Sequence, residues 1–294
     1  MIRGLFPLLY LFIVGGLLFR APRELLTGWL HRSPQRVWLI PAVLAGLFCV
    51  IVTSFGVLNG ALILLILAYV FGAALFAVLG GPVGGPPIWT DGLVVVWLWL
   101  PVEFSLTRYW TPVESQGAVN TAIYGTGVTL ALVLFLVFRQ LDGMKYRPPT
   151  GRKDLLYPLI GLIFLAPILA ILGIWLKFIL PFHISDSLSA IGLAGLFLRV
   201  LAYVAFPEEV LFRSLIQNML MQKVGSSNRT LLLAAVIFGA GHLNNGPGPL
   251  PNWRYMLLAS IAGFGYGKVF QKSSSVVSSA LLHASVNTLR HTFF

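Results

Sequence analysis

The stretch that decides the fold is residues 60–79, which read GALILLILAYVFGAALFAVL. It contains no charged side chain, and about twenty apolar residues are enough for a helix to cross the hydrocarbon core of a bilayer. Further apolar runs lie on both sides of it, at 4–20, 37–56, 90–108, 118–138, 155–180, 188–221, 229–243, 253–270 and 275–293. This pattern predicts an all-α, polytopic integral membrane helix bundle with about 8–10 transmembrane helices.

The composition of the whole chain supports the same class. Hydrophobic residues make up 57% of the 294 residues and charged residues only 10%, with a mean hydropathy of +0.88. Soluble domains contain roughly 25% charged residues, so a soluble globular protein, a disordered chain and a coiled coil are excluded. The single cysteine, Cys49, forms neither an internal disulfide nor a multi-thiolate metal site.

The excess of basic residues follows from the expected topology. The chain has 20 Lys and Arg against 9 Asp and Glu, a net charge of +11. If the segment 20–37 is cytoplasmic, 13 of the basic residues fall in inside loops and only 5, Arg290 among them, in outside segments. This asymmetry obeys the positive-inside rule with both termini outside. The expected partner is therefore the lipid bilayer and not nucleic acid, in a multi-pass protein of the plasma (inner) membrane if the source is bacterial.

One polar linker divides the chain. Residues 139–153, RQLDGMKYRPPTGRK, are rich in charged residues, proline and glycine. The sequence therefore predicts two parts: residues 1–150 as an N-terminal transmembrane extension of unknown role, and residues 151–294 as a core that holds the ionisable groups of interest.

Ionisable side chains inside apolar helices are costly and usually face a cavity or a partner. The run 188–221 contains FPEEVLFRSL, in which Glu208 and Glu209 are adjacent and Arg213 follows Glu209 by one helical turn. This spacing allows an ion pair between Glu209 and Arg213, leaving Glu208 free for chemistry. Pro207 removes an intrahelical hydrogen bond and is expected to kink the helix and start a new segment at the carboxylates.

Two further helices carry polar groups to a similar depth. Phe238 and His242 are four residues apart near the end of run 229–243, and His283 and Asn287 are four apart in run 275–293. Counted from the predicted cytoplasmic ends, Glu208 and these polar residues lie roughly 16–22 Å into the membrane. We therefore expect one intramembrane site built from three helices.

A glutamate, two histidines and an asparagine suit hydrolysis of a peptide bond. Glu208 is the candidate general base that takes a proton from water. His283 and Asn287 are candidates for stabilising the oxyanion, and His242 for positioning the water or protonating the leaving amine. The same side chains are also ordinary ligands of a divalent metal such as zinc, and the sequence leaves the two mechanisms open.

Other intramembrane proteolytic chemistries lack their motifs. The sequence has no H-E-x-x-H for a zinc site, and none of its apolar runs contains a G-x-S to present a serine nucleophile. Asp91, Asp142, Asp154 and Asp186 lie at the ends of predicted spans or in loops, so no intramembrane aspartate pair is expected. Elimination favours a site centred on glutamate.

The three motifs resemble those of the CAAX prenyl endopeptidase and bacteriocin-processing (CPBP, or ABI) intramembrane proteases. That family is marked by E-E-x-x-x-R, F-x-x-x-H and H-x-x-x-N or D on successive helices. The resemblance covers roughly residues 155–294. It implies an intramembrane endopeptidase, glutamate-dependent or metal-dependent, that acts on a membrane-associated protein or peptide.

The resemblance also implies a role for each residue. Glu208 would activate the water with help from His242, while Glu209 and Arg213 would support Glu208. His283 and Asn287 would form the oxyanion site. Two alternatives stay open at this point: a non-catalytic scaffold or immunity protein, and a proton-coupled transporter, although the expected symmetry between two halves of a transporter is not seen.

Overall fold

The computed structural model describes residues 2–80, 84–183, 189–246 and 249–294, with side chains from residue 8 onward. Within these residues the secondary structure is helical and no β-strand occurs. The chain packs as two compact units, Met1–Asp142 and Gly143–Phe294, and their boundary lies inside the linker 139–153. The separate roles predicted for 1–150 and 151–294 stay predictions. Asp186 lies outside the described residues.

The described part of the first unit contains six helices. They are α1 (Ile2–Gly16), α2 (Arg20–His31), α3 (Leu39–Ser54), α4 (Gly60–Leu79), α5 (Trp89–Glu103) and α6 (Val113–Phe138). Short 3-10 turns at Pro34–Trp38 and Leu106–Trp110 precede α3 and α6, and the last six residues of α6, Val133–Phe138, are π-helical. Apart from α2, each helix coincides with an apolar run of the sequence to within a few residues.

Helix α2 was not predicted, because the segment 20–37 has no long apolar run. Its polar residues lie on one side, where Arg20 and Glu24 form an ion pair of 2.6 Å across one turn. Leu30, in the last turn of the helix, is buried. An amphipathic helix of 12 residues is stabilised by packing one face and needs no stretch of twenty apolar residues.

The described part of the second unit contains five helices. They are α7 (Arg152–Trp175), α8 (Ala190–Val224), α9 (Asn228–Ala240), α10 (Trp253–Lys272) and α11 (Val276–Phe293). Among the described residues, five helical segments are long and apolar enough to cross a membrane: Pro34–Ser54, α4, α6, α7 and α8. The all-α, polytopic membrane class is therefore confirmed, and the total of 8–10 spans stays a prediction.

Helix α8 continues through Pro207, where the sequence predicts a kink and the start of a new helical segment. The backbone continues as helix from Ala190 to Val224, and Phe206–Glu209 is a short α-helical piece between two π-helical segments, Leu201–Ala205 and Val210–Gln217. The wider π-helical turns allow the chain to pass the proline ring without ending the helix. Such π-helical turns occur frequently at functional sites.

Small residues allow α9 and α10 to pack closely. A Cβ atom on Gly263 would lie 2.8 Å from Cδ1 of Phe238, and one on Gly239 would lie 2.5 Å from the backbone oxygen of Met256 and in contact with Ser260. The GxxxG spacing of Gly263 and Gly267 therefore marks a helix contact. This close approach brings the Phe238 turn of α9 against the middle of α10.

The start of the second unit is attached to the turn between α10 and α11. The ammonium group of Lys145 donates to the carbonyl oxygens of Phe270, Gln271 and Ser273 at 2.7, 3.1 and 2.9 Å. Burial lowers the pKa of Lys145, and the nearby charge of Arg147 adds to this. The carbonyl groups at the end of α10 are thus capped by a residue far away in the sequence.

Candidate active site

The ion pair predicted within α8 is formed and completely buried. Nε of Arg213 donates to Oε2 of Glu209 at 3.0 Å, and neither side chain is exposed. Arg213 also donates from Nη1 to Gln217 at 3.3 Å and lies over the ring of Phe238 at 4.9 Å. The helical spacing alone brings Glu209 and Arg213 together, and the neighbouring side chains hold the guanidinium in place.

Glu209 also connects α8 with α11. Its second oxygen, Oε1, lies 3.0 Å from Nδ1 of His283. Because Glu209 is paired with Arg213, its carboxylate acts as an acceptor, and Nδ1 of His283 carries the proton that forms this bond. Glu209 thereby fixes the orientation of the imidazole and turns Nε2 in the opposite direction.

Glu208 faces both histidines. Its Oε2 lies 4.0 Å from Nε2 of His242 and 3.9 Å from Nε2 of His283. The Glu208 side chain keeps 25% of its surface exposed, against 12% for His242 and 3% for His283. Oε2 itself is buried and has no hydrogen-bond partner among the described residues. Such an oxygen stays available as an acceptor to a water or a substrate.

The His242 ring is oriented by its own helix. Nδ1 lies 2.9 Å from the backbone carbonyl oxygen of Phe238 and, since a carbonyl oxygen only accepts, carries the proton. The edge of the ring meets Tyr255 at 4.6 Å between centroids, while His283 stacks on Tyr266 at 4.6 Å. Both imidazoles are therefore held by aromatic rings of α10, and both present Nε2 towards Glu208.

A mainly apolar cavity opens beside this cluster. It has a volume of about 310 Å³. Its wall includes His242, His283 and Asn287, together with Tyr255, Tyr266 and Arg290. Asn287 thus lies where a peptide bound in the cavity would meet it, one helical turn beyond His283.

The six residues singled out in the sequence therefore come together around one cavity and one buried ion pair. Three more residues of the site were not predicted: Tyr255 and Tyr266, which support the two histidines, and Arg290, which was counted among the outside charges. The spacing of positions 283, 287 and 290 could have predicted that Arg290 lies near the site, because these positions share one face of a helix. The tyrosines of α10 have no comparable signal, since their role depends on how α10 packs against α9 and α11.

The arrangement also bears on a metal ion. Among the described residues, no group of three or more His, Cys, Asp and Glu side chains is placed to hold one. Phe238 engages Nδ1 of His242 and Glu209 engages Nδ1 of His283, which leaves Nε2 of both rings free, as in histidines that bind a metal. A divalent metal bound here would take Nε2 of His242, Nε2 of His283 and a carboxylate oxygen of Glu208 as ligands and would supply a Lewis acid.

These features define a class of protein: a helical membrane protein with a buried glutamate and histidine site beside an apolar cavity. Residues 190–289, 100 of the 294, match a family model described as Rce1-like, type II CAAX prenyl endopeptidase. The match confirms the resemblance to the CPBP family that the motifs predict, and it contains all six predicted site residues. Comparison with curated proteins and with solved structures finds no match.

Proposed function

We propose that the chain is an intramembrane endopeptidase that hydrolyses peptide bonds of membrane-associated protein or peptide substrates, with Glu208 as the general base. One observation carries the proposal. The buried Oε2 of Glu208 has no hydrogen-bond partner in the part of the chain that the structure describes, and it lies about equally far from the Nε2 atoms of His242 and His283. A water that contacts Oε2 at about 2.8 Å can reach Nε2 of His242 at hydrogen-bond distance as well.

His242 positions this water in the proposed reaction. Because the proton of His242 is on Nδ1 and donates to Phe238, its Nε2 accepts a hydrogen bond from the water. The second hydrogen of the water points to Glu208. The carboxylate then removes a proton as the water oxygen attacks the carbonyl carbon of the peptide bond.

The oxyanion that forms on the carbonyl oxygen is stabilised from α11. Asn287 donates from its side-chain amide, and His283 donates from Nε2. Donation from Nε2 requires the doubly protonated ring, because the Nδ1 proton is engaged by Glu209. Glu209 accepts the hydrogen bond from Nδ1 and is itself paired with Arg213, so the carboxylate of Glu208, 3.9 Å from Nε2, opposes the positive charge of the ring.

Collapse of the intermediate completes the reaction. Glu208 returns its proton to the nitrogen of the leaving amine as the carbon–nitrogen bond breaks. The products are a new carboxyl terminus and a new amino terminus, and Glu208 is again a carboxylate. No step uses a metal ion, and the atoms of one water are divided between the two products.

The variant Glu208→Gln tests the proposal. It keeps the shape of the side chain and removes the base. We would compare peptide termini by mass spectrometry in membranes from cells that express the wild type or the variant at equal levels. Fractionation of the same cells tests the expected location, the plasma (inner) membrane in a bacterium. New termini are expected in the wild type and should be absent with Glu208→Gln.

The matched control is Glu114→Gln, the same chemical change on an exposed carboxylate in α6. This variant should produce the wild-type termini. Both variants should elute in detergent as the folded wild type does. Identical termini in the wild type and in Glu208→Gln, with a candidate substrate co-expressed, would contradict the proposal and favour a scaffold or a transporter.

A further inference from the structure

Arg290 lies in the cavity beside the proposed catalytic residues. It follows Asn287 by three residues and His283 by seven, so all three share one face of α11. The axial rise from His283 to Arg290 is about 10 Å. Arg290 therefore lies farther along the same wall of the cavity, beyond the proposed oxyanion site.

Aromatic rings hold the guanidinium of Arg290 without neutralising it. Its Cζ lies 5.0 Å from the ring centroid of Phe178 and 5.3 Å from that of Tyr255. The hydrogen bond that it forms within the described residues is long, from Nη1 to the hydroxyl oxygen of Tyr255 at 3.5 Å. None of the ion pairs within the described part of the chain includes Arg290.

Arg213, in the same unit, differs from Arg290 in having an ion-pair partner. Its positive charge is paired with the carboxylate of Glu209 at 3.0 Å. Arg290 has five N–H donors, and the described residues engage one of them. A positive charge in a mainly apolar cavity is costly unless an anion joins it, and a planar guanidinium pairs best with a carboxylate through two parallel hydrogen bonds.

We propose that Arg290 binds a carboxylate of the peptide substrate and so determines which peptides enter the site; this inference rests on the proposed peptidase function. An extended peptide advances about 3.3–3.6 Å per residue. The bound carboxylate therefore lies within about three residues of the scissile bond. It comes either from the carboxyl terminus of the peptide or from an acidic side chain at that distance.

The test measures binding and does not require cleavage. The protein is the full chain with Glu208→Gln, in detergent. The probes are three peptides of eight Ala and Leu residues with an amino-terminal fluorophore. The first has a free carboxyl terminus and the second a carboxyl-terminal amide, while the third has the amide and a Glu two residues from its end. Fluorescence anisotropy gives the dissociation constant of each.

We expect at least one carboxylate peptide to bind about 10- to 100-fold more tightly than the neutral amide, the effect of a hydrogen bond between charged groups. A preference for the first peptide identifies the terminus as the source, and a preference for the third identifies a side chain. Arg290→Met should bring the ratio close to one. Arg290→Lys, which keeps the charge but loses the planar fork, should retain part of it.

Arg254→Met is the matched control. It removes another arginine of the same unit that lies over an aromatic ring, that of Trp253, but does not line the cavity. Its ratio should equal that of the parent. Equal affinity for all three peptides in the parent, or an unchanged ratio in Arg290→Met, overturns the inference.

The two proposals fail separately. No carboxylate preference in the parent, or one that Arg290→Met leaves unchanged, while the wild type still produces new termini, contradicts the role of Arg290 alone. A preference that depends on Arg290, in a chain whose wild type produces no new termini, supports carboxylate binding and contradicts the peptidase function.

Discussion

Removing Arg213 from the buried ion pair should destabilise the protein strongly. The variant Arg213→Met keeps the apolar stem of the side chain and leaves the carboxylate of Glu209 buried without its counter-charge. At the observed separation of 3.0 Å, two unit charges attract by about 5 kcal/mol at an effective dielectric constant of about 20. Breaking one partner of a buried pair costs about 3–5 kcal/mol in measured cases. The unfolding equilibrium should thus shift at least about 100-fold.

A second variant separates charge from packing. In Glu209→Gln with Arg213→Met, no charged carboxylate is left buried, and the Gln oxygen can still accept from Nδ1 of His283. Replacing both members of a buried pair is often close to neutral, so the double variant should be more stable than Arg213→Met alone by about 2 kcal/mol or more. The difference between these two variants measures the buried charge.

The assay is equilibrium unfolding in mixed detergent micelles, followed by circular dichroism of the helices. Arg254→Met is the control, an arginine of the same unit that is only partly buried, and should lie within about 0.5 kcal/mol of the wild type. Two results would refute the reasoning: Arg213→Met within about 1 kcal/mol of the wild type, or a double variant no more stable than the single one.

Three further predictions concern packing, the first unit and metal dependence. Gly239→Ala places a Cβ 2.5 Å from a backbone oxygen of α10 and should lower the free energy of unfolding by about 1–3 kcal/mol, whereas Gly195→Ala, which meets nothing within 4 Å, should not lower it. Asp91→Leu leaves Arg139 without the carboxylate that it contacts at 2.9 and 3.0 Å, so the free energy of unfolding of the first unit should fall by about 3–5 kcal/mol. A decrease below about 1 kcal/mol contradicts this prediction. Peptidase activity should survive chelation of divalent metals, because the proposed steps use none and no group of three ligands is placed to hold one among the described residues; inactivation that added zinc reverses, with metal bound stoichiometrically in the purified chain, would show the opposite.

The helices themselves follow from the sequence. Each long apolar run, such as residues 60–79, satisfies its backbone hydrogen bonds only by becoming a helix when it lies in a membrane. The runs therefore predicted nearly every helix of both units. Helix α2 was missed because its stability comes from burying Leu30 on one face, which a criterion of continuous apolarity does not detect.

The sequence also did not decide whether Asp91 is exposed or buried. It was placed at the end of a span, and it does lie in the first turn of α5. The structure adds that the carboxylate is buried and receives two hydrogen bonds from Arg139, 48 residues away. A charge at a helix end can face water or a partner, and only the packing of the first unit decides between them.

For the candidate site, the sequence determined what lies within one helical turn. The pairing of Glu209 with Arg213 and the shared face of His283 and Asn287 follow from the period of the α-helix, whatever the helices pack against. The order of the three motifs also fixed the family resemblance, which the match over residues 190–289 confirms.

Only the tertiary structure decided what meets across helices. His283 contacts Glu209 over a separation of 74 residues, Tyr255 and Tyr266 of α10 support the two histidines, and Arg290 lies inside the cavity. The sequence period states which side chains share a face but not how far each helix is rotated about its axis. That rotation is set by packing between helices, which here depends on the close approach that glycines permit between α9 and α10.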